Sequence, residues 1–185
     1  DIEPISSNYD LFLSNQQKKN AIRFLNSFNN KFKVGINLKG AVKGKKIHED
    51  ELKKICKEIR KQEKNVQFII LSAPKNYHQE RILVKELNLS YVIQSYKTNK
   101  ILEVAALVKY LDMIITPDTS ISHIASAFNT PIVTIHENNI KSYELFAPKS
   151  KINKTFFSKE SNSLIGYDVD ALINYCSKII KKMKK

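Results

Sequence analysis

The sequence is short of cysteine, of arginine and of long apolar runs. No run approaches the length of about 18 apolar residues that a membrane-spanning helix requires, so no such helix is predicted. The two cysteines, Cys56 and Cys176, each fall on the apolar stripe of a predicted helix. This is typical of reduced core thiols and not of a disulfide framework or a metal site. We therefore expect a reducing compartment, the cytoplasm, and no metal.

Several catalytic signatures are missing as well. The sequence contains no HExxH, GxSxG or GxGxxG motif and no paired-carboxylate signature. The loop at 39–46 resembles a P-loop but fails as one, because the spacing from Gly40 to Gly44 is one residue short and Lys46 stands where a Mg²⁺-binding Ser or Thr is required. This excludes a P-loop NTPase. A loop that brings lysine to a phosphate stays open, beside the alternative of a solvated basic loop.

Lysine is what the sequence has in excess. There are 31 Lys and Arg against 18 Asp and Glu, which gives a formal net charge of +13. Such a surface attracts phosphates, nucleic acid or acidic lipid, although a lysine-rich genome bias would produce much of it too. The lysines of the C-terminal tail are Lys178, Lys181, Lys182, Lys184 and Lys185. They suit the negative end of a helix dipole, which is the simpler explanation, and contact with anionic lipid headgroups is the alternative.

Strand and helix patterns alternate along the chain. Short apolar runs predict strands at 33–38, 66–71, 91–94, 113–116 and 131–135. Helical patterns, most with a clear apolar stripe, predict helices at 16–28, 48–63, 76–87, 99–111, 118–128 and 168–183. The alternation predicts parallel βαβ units in an α/β fold, a doubly wound, Rossmann-like sheet with helices on both faces.

The length of 185 residues suits one domain with a real core. We divide the chain into a lead-in with one helix from an interdomain region at 1–32, the Rossmann-like domain at 33–167, and an amphipathic helix with a basic tail at 168–185. The stretch 147–167 shows the least pattern, and we expect it to be a surface excursion. Because the first residue is Asp1 and not Met, we expect a piece of a longer protein.

The segment 116–123 is the strongest candidate for a binding site. It follows a predicted strand and opens a helix, and doubly wound sheets bind ligands outside the carboxyl ends of their strands. Asp118, Thr119 and Ser120 are good N-cap residues, and His123 lies in the first helical turn, away from the apolar stripe. Backbone N–H groups, hydroxyls and a histidine thus converge where an anion would bind. The alternative is a plain N-cap followed by a surface histidine.

The run at 118–133 resembles the hallmark of glycosyltransferase family 9, the ADP-heptose:lipopolysaccharide heptosyltransferases. That family typically shows Asp-Thr-Gly, two further residues and His, then a helix of small residues and a strand that contains proline. Upstream, 102–107 resembles the helix before the hallmark, and 40–45 resembles the family's Gly-Ala … Lys loop. The similar elements extend over 33–148 in the family's order.

This resemblance implies a GT-B fold, in which two Rossmann-like domains enclose the active site, and the chain matches the C-terminal, donor-binding domain. It implies transfer of a sugar, heptose by default, from a nucleotide-sugar such as ADP-heptose to a lipopolysaccharide core acceptor. The catalytic base and the acceptor site are expected in the N-terminal domain, so we expect this chain alone to be inactive. No cofactor or metal is implied. We expect a cytoplasmic location, with possible peripheral contact at the inner membrane.

The resemblance also implies which residues hold the donor. They are Gly40, Ala41, Lys45, Asp118, Thr119, Ser120 and His123. The residues of the helix start would bind the diphosphate and the sugar, the lysine would offset the diphosphate charge, and the first two residues would line the same pocket.

The chain departs from the family pattern in three places. Ser120 replaces a glycine, Ile47 and His48 replace Trp-Pro, and 136–139 replaces a Gly-Pro-Thr-like turn. The last departure bears on the sugar and the base of the donor. His136 itself ends a strand at the edge where a site is expected, but a lone histidine there is more often structural.

Two other functions stay open at this stage. The net charge of +13 would suit a nucleic-acid-binding module, but the basic runs lack the interleaved aromatic residues that stack on bases. A non-catalytic nucleotide-sugar binder would carry the same residues and lack only the partner domain.

Overall fold

The computed structural model describes residues 9–40 and 44–184, and its centre is one six-stranded sheet. The strands are β1 (Phe32–Asn37), β2 (Val66–Leu71), β3 (Val92–Gln94), β4 (Met113–Pro117), β5 (Ile132–His136) and β6 (Asn153–Phe157). The helices are α1 (Asn15–Asn26), α2 (Glu49–Gln62), α3 (Tyr77–Leu87), α4 (Ile101–Tyr110), α5 (Ser120–Ala127), α6 (Ile140–Phe146) and α7 (Val169–Met183). A short 3₁₀ turn, Pro74–Asn76, precedes α3.

All neighbouring strands pair in parallel, in the order β3-β2-β1-β4-β5-β6. The prediction of a doubly wound, Rossmann-like sheet is confirmed, and the bounds of the first five strands agree with the sequence patterns to within one residue. The order reverses between β1 and β4, so the chain leaves these two neighbours in opposite directions. A crevice therefore opens at their carboxyl ends, which is the place where such sheets bind ligands.

The prediction of five strands, with 147–167 as a surface excursion, is wrong. Strand β6 pairs in parallel with β5 over five residue pairs, and Leu164 and Tyr167, which follow it, are buried in the core. Strand β6 is one of the two edge strands, is partly exposed and begins with Asn153 and Lys154. It therefore lacks the continuous apolar run that reveals the inner strands.

Two hydrophobic layers cover the sheet. Helices α2, α3 and α7 pack on one face, and α1, α4 and α5 pack on the other. The predicted stripe of α2 is buried in full, because Leu52, Ile55 and Ile59 recur at helical spacing toward the sheet. Cys56 and Cys176 are both free and fully buried, and burial raises the pKa of each thiol. Their assignment to the core is confirmed.

Helices α2 and α7 lie side by side and run in the same direction. Lys54 pairs with Asp170 near their starts at 2.8 Å, and Lys184 pairs with Glu63 near their ends at 3.0 Å.

Within residues 9–40 and 44–184, no helix has both the length and the apolar character needed to cross a bilayer.

Candidate functional site

A cleft of about 370 Å³ opens at the carboxyl edge of the sheet beside the β1–β4 crevice. The ends of β1 and β2 form its floor, and the starts of α4 and α5 form one wall. Polar and charged groups lining it are Asn37, Lys39, Ser72, Lys75, Asn76, Glu80, Lys100, Thr119 and Ser120. Of the residues predicted from the sequence, Gly40, Thr119 and Ser120 line this cleft. Lys45, Asp118 and His123 lie outside it along the same edge.

The start of α5 is capped by Thr119 and not by Asp118. The Thr119 hydroxyl accepts from the Ile121 backbone N–H at 3.1 Å, and the exposed Ser120 is the first helical residue. A helix start leaves its first N–H groups without helical partners and carries a partial positive charge. Because the Thr119 hydroxyl serves as the cap, the Asp118 carboxylate is left to make other contacts.

Asp118 contacts His136, which ends β5. Oδ2 of Asp118 lies 3.3 Å from Nε2 of His136, a charge contact without the alignment of a good hydrogen bond. Nδ1 of His136 lies 2.7 Å from the carbonyl oxygen of Glu137, and since a carbonyl only accepts, Nδ1 carries a proton. The contact with Asp118 therefore stabilises the doubly protonated ring.

The two pKa values shift in the directions expected for this pair. The interaction with His136 lowers the pKa of Asp118, against the desolvation that would raise it, and nearby Lys45 and His123 lower it further. Burial alone would lower the pKa of His136, but the contact with Asp118 and the hydrogen bond to the Glu137 carbonyl outweigh burial, so the pKa of His136 is raised. His136 thus contacts the charged side chains of this edge. The sequence alone favoured a structural role for it.

Lys45 reaches the same cluster from the loop after β1. Its Nζ lies 2.9 Å from Oε1 of Glu137, and the two side chains are only 14% and 10% exposed. The loop closes through Gly40, whose N–H donates to the carbonyl oxygen of Lys45 at 2.6 Å. A Cβ on Gly40 would lie 2.9 Å from the Lys45 Cβ, so only glycine fits there without a shift. Ala41, the other predicted residue of this loop, lies outside the described residues.

His123 does not point into the charged cluster as a free donor. Its half-buried ring lies edge-on against Tyr9, with ring centroids 5.5 Å apart, and against Phe146 at 6.1 Å. Its Nδ1 is buried and has no hydrogen-bond partner among the described residues. The ring is still near enough to Asp118 to act on the pKa of that carboxylate. His123 is therefore at the edge of the site, packed among aromatic side chains.

Sequence reasoning missed three residues of this edge. The apolar run at 33–38 places Asn37 in a buried strand and gives no sign of a role in a site. In the structure, its amide donates to Thr116 Oγ1 at 3.0 Å and to Thr119 Oγ1 at 3.3 Å. Glu80 is 3% exposed on the cleft wall, and its position one turn before the apolar pair Leu83 and Val84 was a signal for a buried carboxylate. The third residue, Glu137, follows β5 directly.

Glu80 has an unusual environment for a carboxylate. Oε1 lies 4.0 Å from Nζ of Lys39, and Oε2 is buried without a hydrogen-bond partner in the described part of the chain. Desolvation raises the pKa of Glu80, although a hydrogen bond with Ser72 and the charge of Lys39 oppose the rise. Oε2 is therefore a buried acceptor that the described residues leave unsatisfied.

The described residues contain no cluster of three or more His, Cys, Asp and Glu side chains placed to hold a metal ion. The same edge holds a cleft of about 370 Å³, a helix start, and a cluster of one lysine, one histidine and two carboxylates. Its charged members are Lys45, Asp118, His136 and Glu137.

The fold is shared with solved glycosyltransferases. A family 9 glycosyl transferase from Veillonella parvula aligns with a TM-score of 0.79 and 12% identity, over 95% of this chain and 54% of that one. ADP-heptose lps heptosyltransferase II of E. coli aligns with a TM-score of 0.77 and 15% identity, over 99% and 57%. E. coli heptosyltransferase WaaC, solved with ADP, gives a TM-score of 0.66 and 16% identity, over 85% and 48%. The chain thus spans about half the length of each.

Sequence comparison identifies the family directly. No curated protein matches the chain in sequence. The family model of glycosyltransferase family 9 (heptosyltransferase), however, matches residues 3–163. This match covers most of the chain, both sides of the crevice and every residue of the charged cluster. The chain therefore belongs to glycosyltransferase family 9.

Proposed function

We propose that the chain is the nucleotide-sugar-binding half of a glycosyltransferase and that its donor lies across the carboxyl edge of the sheet. The observation that carries the proposal is the convergence of Lys45, from the loop after β1, with Asp118 and the start of α5 after β4. Lys45 is near enough to act on the pKa of Asp118, although 73 positions separate them in the chain. A cation and a helix start that meet at a sheet crevice suit a diphosphate.

The nucleoside is assigned to the cleft beside this cluster. Its volume of about 370 Å³ lies within the range of small-molecule sites. The Glu80 carboxylate supports ribose binding, since its side chain lines the cleft and a carboxylate accepts hydrogen bonds from hydroxyls. Gly40 and Thr119 lie on the side of the cleft toward the charged cluster, so the diphosphate would run from the cleft to Lys45.

In the proposed reaction these groups stabilise the departing nucleoside diphosphate. The leaving group gains negative charge as the bond to the sugar breaks, and preorganised N–H groups and a cation lower the energy of that charge. The acceptor hydroxyl would be deprotonated by a base outside this chain, in the acceptor-binding domain of a GT-B enzyme. Transfer is then a direct displacement of the nucleoside diphosphate by the acceptor hydroxyl. Because the base lies outside this chain, we expect the isolated chain to show no turnover.

Family membership is the support for the finer assignments. We infer ADP-heptose as the donor and a lipopolysaccharide core as the acceptor, since the family is that of the heptosyltransferases and one structural neighbour was solved with ADP. An acceptor of this kind is bound to a membrane, so we also infer that the full protein works at the cytoplasmic face of the inner membrane.

Calorimetric titration with ADP, UDP and GDP tests the donor assignment. We expect ADP to bind most tightly, and Lys45→Met to weaken its binding about tenfold through loss of one charge-assisted contact. Lys97→Met, which removes a charge from an exposed position on another loop, is the matched control and should leave the affinity unchanged. If none of the three nucleotides binds, the chain is not a donor-binding domain.

The inactivity of the isolated chain has its own test. The chain is incubated with ADP-heptose and a lipopolysaccharide core acceptor, and release of ADP and change in acceptor mass are followed. We expect neither. Turnover would show that the catalytic base lies within this chain.

A further inference from the structure

Glu137 places a negative charge in a site proposed for an anion. It follows β5 within the segment 136–139, which replaces the Gly-Pro-Thr-like turn of the family pattern. An anion-binding turn has no need of a carboxylate, and a carboxylate near a diphosphate repels it. Glu137 is therefore unfavourable for diphosphate binding unless a nearby cation compensates its charge.

The contact between Glu137 and Lys45 is close and well shielded. Nζ and Oε1 are 2.9 Å apart, and the side chains are 14% and 10% exposed. A pair this withdrawn from water is screened far less than a surface pair, so its two charges are strongly coupled. Without a ligand, the charge of Lys45 is already neutralised inside the protein.

Two hydrogen bonds hold the backbone of Glu137 in place. Its carbonyl oxygen accepts from Nδ1 of His136 and from the Asn139 backbone N–H, each at 2.7 Å. Lys45 is a loop residue, and its charge lies at the end of a flexible side chain of four carbons. An incoming phosphate would therefore take Lys45 away from a fixed carboxylate, and the carboxylate would stay behind.

We propose that Glu137 determines the donor affinity of this site as an internal counter-anion, which holds Lys45 in the ligand-free protein and which a diphosphate must displace from it. This inference rests on the proposed function. It predicts that binding is weaker than the helix start and Lys45 alone would allow, because forming the phosphate contact requires breaking the ion pair. Neutralising Glu137 should then strengthen binding, the reverse of what loss of a binding residue does.

The first experiment measures ADP affinity by calorimetry in four variants. Glu137→Gln keeps the size of the side chain and removes its charge, and we expect ADP to bind about tenfold more tightly. Glu144→Gln makes the same charge change at an exposed position on α6 and should stay within about twofold of the wild type. In a Lys45→Met background, Glu137→Gln should give a clearly smaller gain, since no cation is left to release and only the direct repulsion between carboxylate and diphosphate is relieved.

An unchanged or weaker affinity in Glu137→Gln overturns the proposal, and so does a gain of the same size without Lys45. Glu137→Asp keeps the charge but shortens its reach, so we expect an affinity between those of the wild type and Glu137→Gln. This second variant keeps the test decisive if the amide variant folds poorly. An affinity below that of the wild type in Glu137→Asp would also contradict the proposal.

A ligand-free measurement separates this inference from the proposed function. The rate of Lys45 acetylation by a small acylating reagent is followed by mass spectrometry in the wild type, Glu137→Gln and Glu144→Gln. We expect a severalfold faster reaction only in Glu137→Gln, because its lysine is released from the ion pair. Equal rates in all three would overturn the pairing itself. A faster rate combined with no binding of ADP, UDP or GDP would overturn the donor assignment and the role of Glu137 in it, while the ion pair would stand.

Discussion

Asn37 and Thr119 face each other across the switch point of the sheet, and the Asn37 amide nitrogen donates to the Thr119 hydroxyl at 3.3 Å. The same amide reaches the Thr116 hydroxyl at 3.0 Å and the Lys39 carbonyl at 3.2 Å. One half-buried side chain thus ties the loop that carries Lys45 to the start of α5. These two segments have to keep their spacing if they are to share a diphosphate.

Replacing Asn37 with Ala tests this connection. The change removes three hydrogen bonds of a half-buried side chain, so we expect a loss of about 1–3 kcal/mol in the free energy of unfolding. We also expect ADP binding to weaken, since the two halves of the site lose their common anchor. Urea unfolding and calorimetry measure the two effects. Asn174→Ala, at an exposed position on α7, is the control, and an Asn37 variant indistinguishable from it would contradict the prediction.

His136 should make the stability of the protein depend on pH. Its pKa is raised in the folded protein, so its contribution is complete below its ordinary value of 6.5 and is lost as pH rises through the folded value. We therefore expect His136→Gln to lower the free energy of unfolding more at about pH 6 than at about pH 8.5. Urea unfolding at both pH values measures the difference.

Asp118 supplies the control for this measurement. The pKa of Asp118 is lowered, so its own contribution is present above its ordinary value of 3.8 and is lost only as pH falls through the lower folded value. It stays constant across the range used for His136. In an Asp118→Asn background, the pH dependence of the His136→Gln effect should shrink strongly. If it persists unchanged, another group raises the pKa of His136.

Glu80 should act on the nucleoside and not on the diphosphate. Glu80→Gln is expected to weaken ADP binding about tenfold, because a charged acceptor for a ribose hydroxyl becomes a neutral one. Binding of inorganic pyrophosphate should not change. Since burial raises the pKa of Glu80, its ionised form is unfavourable in the fold, and the variant should be as stable as the wild type or more stable at neutral pH. Equal losses for ADP and pyrophosphate would place Glu80 elsewhere in the site.

The exposed lysines of α7 are predicted to contact anionic lipid. Lys178, Lys181 and Lys182 lie exposed on the helix that packs beside α2. Their joint replacement with Gln should weaken binding to vesicles that contain phosphatidylglycerol by about 1 kcal/mol per lysine, and high salt should weaken the wild type in the same way. Cosedimentation with the vesicles measures the effect.

The control for the vesicle experiment removes the same charge from other surfaces. Lys19, Lys97 and Lys141 are exposed on α1, on the loop after β3 and on α6. Their joint replacement with Gln should have a clearly smaller effect. Equal losses in the two triple variants would mean that total charge, and not the α7 surface, attracts the vesicles.

Much of the site was within reach of sequence reasoning, but only as separate segments. Thr119 and Ser120 were found because cap residues between a strand and a helix have a local signature. Glu137 and Asn37 were missed, since neither has such a signature. Glu137 joins the site through a contact with Lys45, 92 positions away in the chain, and Asn37 through contacts with Thr116 and Thr119.

The sequence by itself determined the order and approximate bounds of the first five strands and of every helix except α6, because a buried face imposes a period that can be read locally. It did not reveal β6, since this strand is partly exposed and begins with polar residues that break the apolar run. Only the tertiary structure decided which charges meet, since the Lys45–Glu137 and Asp118–His136 contacts join loops brought together by the strand order. Periodicity reports how a segment faces the core, and it carries no information on which distant loops share an edge.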